Sequence, residues 1–297
     1  MRDIVQRGVP RNAHNSVVGM QQNKIKINLT GVSETLLGPL WGRAKLSRER
    51  NPVLNDTKAI ELIEQIDYDF STIDRSIPPE VDLLIVARAK QFDDKIKAYI
   101  AEHPRASVVN IGAGLDTTFY RIDNGLIHWY NLDLPAVIEI RKQLIPETER
   151  TACIAKSLFD RSWCKYIKHT EDGVFMVVGG VLVYYEESQV QQFFSLLADN
   201  FPGGEIVFDA PSRKIRVARL SAPFKWALRD ANKITRWDKR IRVLDQFPLF
   251  KNIPRDPSWS RGLFEDVPKD FSWSVDIQRL MDFSDRCRIS NIFHLRV

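Results

Sequence analysis

The sequence predicts an α/β fold built on a mostly parallel sheet with helices on both faces. Three observations carry that expectation. From residue 107 to 211, short apolar and β-branched runs alternate with helix-like stretches, the pattern of strands buried on both faces beneath crossover helices. One run, VVNIG at 108–112, breaks at Gly112-Ala113-Gly114 and resumes as a helical segment. Glycines there let the backbone turn tightly and let a ligand approach the peptide groups, as in a nucleotide-type cofactor turn. Finally, Asp133 closes the next strand about twenty residues on, where a carboxylate hydrogen-bonds ribose hydroxyls.

The elements follow in order. Residues 1–26 are polar and aperiodic and read as a flexible arm. Residues 27–104 carry helical spacing, as in Ala59, Ile60, Leu62, Ile63 and Ile66 and again in Leu83, Leu84, Val86 and Ala87, which predicts a helical cap. In the core, 105–211, SVVNIG, HWYNLD, TACIAKS, GVFMVVGG and EIVFDAP are strand-like, and EESQVQQFFSLLADNF is the clearest helix. Residues 212–270 are expected to form a basic lid over the sheet mouth. Between 212 and 260, thirteen Lys and Arg stand against Asp230, Asp238, Asp245 and Asp256, an excess larger than the whole chain's formal +5, with tryptophans at 226, 237 and 259 among them. Residues 271–297 read as a closing helix and a final strand, CRISNIFHLRV.

Length and composition, 297 residues and 44% hydrophobic, suit one catalytic domain with insertions. Cys153, Cys164 and Cys287 are odd in number and lack ligand spacing, so neither a disulfide framework nor a metal site is expected, and a reducing cytoplasm is the expected location. No stretch approaches 18 uncharged apolar residues and the N-terminus has no apolar signal core, so no membrane partner is expected. Oligomeric state is not legible. In the turn, Thr117 stands where a dinucleotide fingerprint would have its third glycine, which disfavours a pyrophosphate. A ribose-bearing ligand without pyrophosphate fits better, and S-adenosylmethionine is the commonest such cofactor. Asp116 and Thr117 can cap the following helix, meet the ligand, or do both, since a capped helix N-terminus also faces the ligand.

NIGAGLDTTFYR with YNLDLPAVIEIRKQLI at 130–145 resembles the leucine carboxyl methyltransferase family, with its GAG-x-DT-x-x-x-R turn and acidic-x-P second strand. INLTGVSETLLGPLWGRAKLSRERNPVLND at 27–56 resembles the bacterial branch typified by tetracenomycin-type polyketide O-methyltransferases. The similar segments span roughly residues 27–211. The resemblance implies a class I, Rossmann-like methyltransferase with a seven-stranded sheet. It also implies S-adenosylmethionine as cofactor, with Gly112, Ala113, Gly114, Asp116, Asp133 and the adjoining Leu134 in its site. Arg88, in VARAK, matches the arginine that grips the cofactor's methionine carboxylate, a task suited to a bidentate guanidinium. Arg43, in WGRAK, is a candidate for the same anionic end or for the substrate. Ser157 and Leu158 stand where the family has Asp-Leu against adenine. Gly180 is taken as the position of the glutamate in E-G-V-L-x-Y. Tyr184 and Tyr185 are candidates to line the methyl site, and Trp226 to meet the substrate.

No general base stands out. A carboxylate acceptor, ionised at neutral pH, needs none, whereas a phenol, with a pKa of about 10, wants a base or a nearby cation. The expected reaction is methyl transfer to a carboxylate or hydroxyl of a small polyketide-like or acidic metabolite. Two alternatives stand beside it. The basic, tryptophan-bearing segment could serve a nucleic-acid methyltransferase, although no amino-methylating N/D-P-P-Y motif is present and nucleic acid is not the expected partner. The missing glutamate also leaves room for a cofactor-binding but idle homologue.

Overall fold

Apolar residues at helical spacing build the first third of the chain: α1 (Leu37–Ser47), α2 (Thr57–Gln65), α3 (Ser71–Ser76) and the long α4 (Pro79–Glu102). The computed structural model describes residues 24–27, 36–213, 223–254, 281–282, 284 and 290–297. Asp56 starts α2 by accepting the Ala59 amide hydrogen on its side chain (3.0 Å), and Pro79 opens α4 at the position where a missing N–H costs nothing. Ile25, within the expected arm, bridges in parallel to Ile66.

The strands and helices that follow are β1 (Ser107–Ile111), α5 (Thr118–Ile122), β2 (His128–Asp133), α6 (Pro135–Leu144), β3 (Thr151–Ala155), β4 (Val174–Val178), α7 (Glu187–Asn200), β5 (Glu205–Pro211), α8 (Asn232–Trp237), β6 (Arg242–Pro248) and β7 (Ser290–Arg296). They form one sheet in the order β3-β2-β1-β4-β5-β7-β6. Pairings from β3 through β5 are parallel, and β7 runs antiparallel to both its neighbours. The order reverses between β1 and β4, which opens the crevice at the carboxyl ends of those strands where ligands bind in such sheets.

Alternation along each strand divides the core in two. Val109, Ile111, Met176, Val178 and Phe208 face one side, with Phe193, Phe194 and Trp163, while Val108, Phe175, Val177 and Val207 face the other, against Phe92 and Ile96 of α4. A third cluster joins α1 and α2 to Leu115 of the glycine turn and to Ile140 and Leu144 of α6. The cap is therefore packed onto the turn itself.

The expected lid is corrected in part. Trp226, Leu228, Ala231, Ile234 and Ile241 belong to the first core cluster, and residues 242–248 are a strand of the sheet. Most of 255–289, with Trp259 and Cys287, and most of the expected arm lie outside the described residues. Among the described residues no helix is long and apolar enough to cross a membrane.

Candidate functional site

At the end of β1 the chain turns through Gly112 (φ 72°) and Gly114 (φ 47°). A Cβ on Gly112 would lie 2.3 Å from Val181 Cγ2, so only glycine fits there. Asp133, at the end of β2, accepts the Gly114 N–H on one oxygen (2.8 Å) and the Leu134 N–H on the other (2.7 Å). Burial pushes its carboxyl upward in pKa against these two amides and Arg141. The turn and the aspartate, paired by spacing in the sequence, are thus bonded directly. Leu134 stands exposed beside them.

Asp116 is committed to the turn. It accepts from the Asn110 amide (2.9 Å), the Thr118 N–H (3.1 Å) and the Thr118 hydroxyl (3.0 Å) at the start of α5. Burial would raise its pKa, but Arg43, Arg121 and Arg141 outweigh that and hold it below the usual range.

Beneath the turn lies a buried ionic framework. Asp56 Oδ2 accepts from Arg43 Nε (2.9 Å), Arg121 Nη1 (2.6 Å) and the Thr117 hydroxyl (2.5 Å). Arg121 also grips Asp93 of α4 bidentately, at 2.8 and 2.9 Å. Arg141 of α6 donates to the carbonyls of Gly114 and Asp116, both at 2.9 Å, and Arg43 donates to that of Leu115 (3.0 Å). Burial opposes the charge on Arg121, but Asp93, Asp56 and Asp116 hold its pKa above the ordinary value. Arg43 was a candidate for the cofactor's anionic end or for the substrate. It is instead 5% exposed and bonded to Asp56 and the turn.

Across the crevice, Arg88 of α4 pairs with Asp209 of β5, Nη1 to Oδ2 at 3.2 Å. The other Asp209 oxygen accepts the Gly180 N–H at 2.6 Å. Gly180 has φ 68°, and a Cβ there would stand 2.7 Å from Arg88 Nη1. Set in register on Gly179–Tyr184, the pattern E-G-V-L-x-Y puts its glutamate at Gly179, one residue before the position assigned above. A Cβ at Gly179 would lie 3.0 Å from Phe92 and 3.6 Å from Arg88 Nε, so both glycines border the same guanidinium.

Tyr184 meets Phe224 edge-on (centroids 5.7 Å) and Tyr185 meets Phe159 likewise (4.8 Å). Burial pushes both phenols above their ordinary pKa. Arg88 partly opposes the shift at Tyr184, and Asp133 adds to it at Tyr185. Two further expectations change. Leu158 is buried in the core, where its carbonyl accepts from Trp163 Nε1 at 3.0 Å, and half-buried Ser157 accepts the Phe159 N–H on its hydroxyl at 3.3 Å. Trp226 is 1% exposed and packs against Phe208, which removes it from the substrate side.

Asp56, Asp93, Arg141 and Asp209 escaped sequence reasoning, and Arg121 was noticed only as the last letter of a motif. Asp209 left one signal, an acid inside the apolar run EIVFDAP. Three charges of the basic segment meet acids: Lys225 meets Glu186 at 3.8 Å, Lys233 meets Glu187, and Arg240 meets Asp199 of α7 at 2.9 Å and Asp238 at 2.6 Å. Among the described residues no cluster of three or more His, Cys, Asp or Glu could hold a metal ion.

The sheet order, the glycine turn bonded to a strand-end aspartate and the crevice at the β1/β4 reversal define a class I, Rossmann-like methyltransferase. A crystal structure of a provisionally named methyltransferase from Thermobifida fusca shares the fold, with a TM-score of 0.50 over 88% of this chain and 94% of that one at 14% identity. The profile of the leucine carboxyl methyltransferase family matches residues 37–198, and the chain belongs to that family. It is 35% identical over 233 residues to the tetracenomycin polyketide synthesis O-methyltransferase TcmP of Streptomyces glaucescens, covering 75% of this chain and 85% of that protein. It is 29% identical over 211 residues to the S-adenosyl-L-methionine-dependent methyltransferase dpfgK of Gibberella zeae, covering 65% and 70%. The protein is an S-adenosylmethionine-dependent methyltransferase.

Proposed function

We propose that this enzyme methylates an oxygen, carboxylate or hydroxyl, of a small acidic or polyketide-like metabolite. One observation carries the reading toward an acceptor that arrives already ionised: among the described residues of the crevice, no carboxylate or phenol is set up to take a proton from the acceptor. Asp133 holds two amides, Asp209 holds Arg88 and Gly180, and burial keeps the Tyr184 and Tyr185 phenols protonated. A carboxylate, with a reference pKa near 4, needs no base at neutral pH. The 35% identity to a polyketide O-methyltransferase supports the oxygen acceptor and the polyketide-like class.

The residues present fit S-adenosylmethionine. The carboxylate of Asp133 keeps lone pairs beyond the two it gives the backbone, enough to accept two ribose hydroxyls. Gly112, Ala113 and Gly114 give backbone that a ligand can approach, and Leu134 and Ser157 would border the base. Arg88 would hold the methionine carboxylate through its Nε and Nη2 edge, which makes no hydrogen bond among the described residues. When bound, the cofactor supplies a methyl group on a positively charged sulfur. The chain's part is alignment and exclusion of water, with Tyr184, Tyr185 and Phe224 as walls near the acceptor.

The test is methyl transfer from radiolabelled S-adenosylmethionine to a panel of aromatic polyketide acids and phenols. Transfer to an oxygen is expected, and mild alkali separates the cases because it cleaves a methyl ester and spares an ether. Labelling of nucleic acid in place of every small acceptor would overturn the reading.

A further inference from the structure

Arg88 and Asp209 are separated by 121 residues, yet they meet within hydrogen-bonding distance at the crevice. Their side chains are 22% and 11% exposed, so the pair is neither a solvated surface contact nor a sealed one. The Asp209 carboxylate binds two different things at once. One oxygen takes the Gly180 N–H, fixing the backbone where β4 enters the crevice, and the other takes a single guanidinium hydrogen from α4. The contact uses Nη1. It leaves the Nε–Nη2 edge, which is a two-pronged donor for a carboxylate, without a protein partner among the described residues. The bare Gly180 backbone approaches the same nitrogen so closely that a Cβ would collide with Nη1 at 2.7 Å.

An arginine side chain gives up rotamer freedom when it is fixed, and a guanidinium held at one corner has lost much of it before the ligand arrives. We infer that Asp209 is the positioning residue for Arg88, clamping Nη1 from β5 while the Gly179–Gly180 backbone leaves room, so that the Nε–Nη2 edge is presented to the carboxylate of a bound amino-acid moiety. The inference rests on the reading of Arg88 as the grip for the cofactor's methionine carboxylate. It adds a residue that touches no reacting atom, together with a reason for the paired glycines.

Asp209→Asn isolates the effect. The substituted amide keeps an oxygen for the Gly180 N–H and turns its NH2 toward Nη1. Donor then faces donor, and the guanidinium is released while the loop stays anchored. Calorimetric affinities for S-adenosylmethionine and for adenosine, which lacks the methionine carboxylate, are measured for wild type, Asp209→Asn, Arg88→Ala and the double variant. The expected result is a loss of roughly tenfold in S-adenosylmethionine affinity for Asp209→Asn, about the worth of one charge-assisted hydrogen bond. Adenosine affinity should be unchanged, and Asp209→Asn should add less than about twofold in the Arg88→Ala background, the signature of two residues acting as one unit. Equal losses for both ligands, or full additivity, overturns the inference. So does weakened binding in Arg88→Ala with none in Asp209→Asn, which leaves the Arg88 reading standing. Unchanged S-adenosylmethionine affinity in Arg88→Ala overturns both. Asp209→Ser keeps a short oxygen-bearing side chain near the Gly180 N–H but cannot reach Nη1 with a carboxylate. Should Asp209→Asn fail to fold, a loss confined to S-adenosylmethionine in Asp209→Ser supports the clamp, and its absence overturns it.

Discussion

Around the glycine turn, Arg43, Arg121, Arg141, Asp56, Asp93 and Asp116 bond to one another or to the turn's own carbonyls and amides, whereas around Gly179–Tyr185 the single pair Arg88 and Asp209 stands among Phe92, Phe159 and Phe224. The first region is fixed by directional bonds that draw on α1, the start of α2, α4 and α6. The second is shaped mainly by packing, with one clamp. A turn that must fit an invariant ligand gains from bonds that tolerate no displacement, while a wall of side chains can be altered to suit a different acceptor. The family resemblance divides along the same line: GAG-x-DT-x-x-x-R is intact, and the E-G-V-L-x-Y segment has lost its glutamate.

If that contrast is right, the largest effect should come from cutting the framework. Arg121→Ala leaves Asp56 and Asp93 buried without their shared cation, and breaking a buried pair this way costs about 3–5 kcal/mol. Denaturant unfolding should show that loss, with S-adenosylmethionine binding falling with it. A variant of near-native stability would mean that packing alone holds the turn.

Next comes Asp133→Ala, which removes the acceptor proposed for the ribose hydroxyls. Calorimetry should show S-adenosylmethionine affinity reduced by about ten- to hundredfold, or roughly 1.5–3 kcal/mol for a charged acceptor. Adenosine should lose as much, in contrast to the Asp209 variant. Unchanged affinity in a folded protein would remove Asp133 from the site.

Asp82 tests the same frame through pH. It lies 3% exposed where α4 meets α1, and burial raises its pKa from 3.8 to about 7, against the pull of Lys45 at 3.8 Å. The folded state therefore keeps a proton that the unfolded chain releases near pH 4. Its contribution is complete below that value and is lost as pH rises toward 7 and through it. Asp82→Asn should flatten this decline, and at pH 8 it should stabilise the protein by about 2 kcal/mol relative to wild type. Thermal melts from pH 5 to 8 on both proteins provide the measurement, and parallel curves would refute the assignment.

The smallest effect is expected at the packed end. Tyr184→Phe deletes a hydroxyl that burial keeps neutral and should leave turnover within about threefold. A loss of a hundredfold in kcat would make that phenol a participant and end the contrast between a bonded end and a packed end.

Much of the fold was legible because its signals are local. Five core strands are short, mostly apolar or β-branched runs, and Gly112, Gly114 and Asp133 lie within about twenty residues of one another. The strand Arg242–Pro248 was not legible. It is an edge strand that carries Arg242, Asp245 and Pro248, residues that suit an unpaired sheet edge and mimic a solvated lid. Trp226 was drawn into the same misreading by the charges around it. The framework was invisible for another reason: Asp56 and Arg121 are 65 residues apart, and nothing local marks a charge whose partner arrives from another element. Arg43 was given to a ligand because its protein partners could not be foreseen. Asp209 carried the one readable hint, since an acid within a strand buried on both faces requires a partner.

The placement of β7 between β5 and β6 also governs the order of assembly. Among the described residues β6 pairs only with β7, whose first residue, Ser290, follows Pro248 by 42 positions. At about 5–20 residues per second, roughly two to eight seconds pass during synthesis between the appearance of β6 and that of the strand it must join. For that interval the right half of the sheet stops at β5, and both β5 and β6 present unpaired backbone to other nascent chains. Arrested chains ending before Ser290 should accordingly be cut by protease within residues 242–248, and chains extending past Arg296 and clear of the ribosome should not.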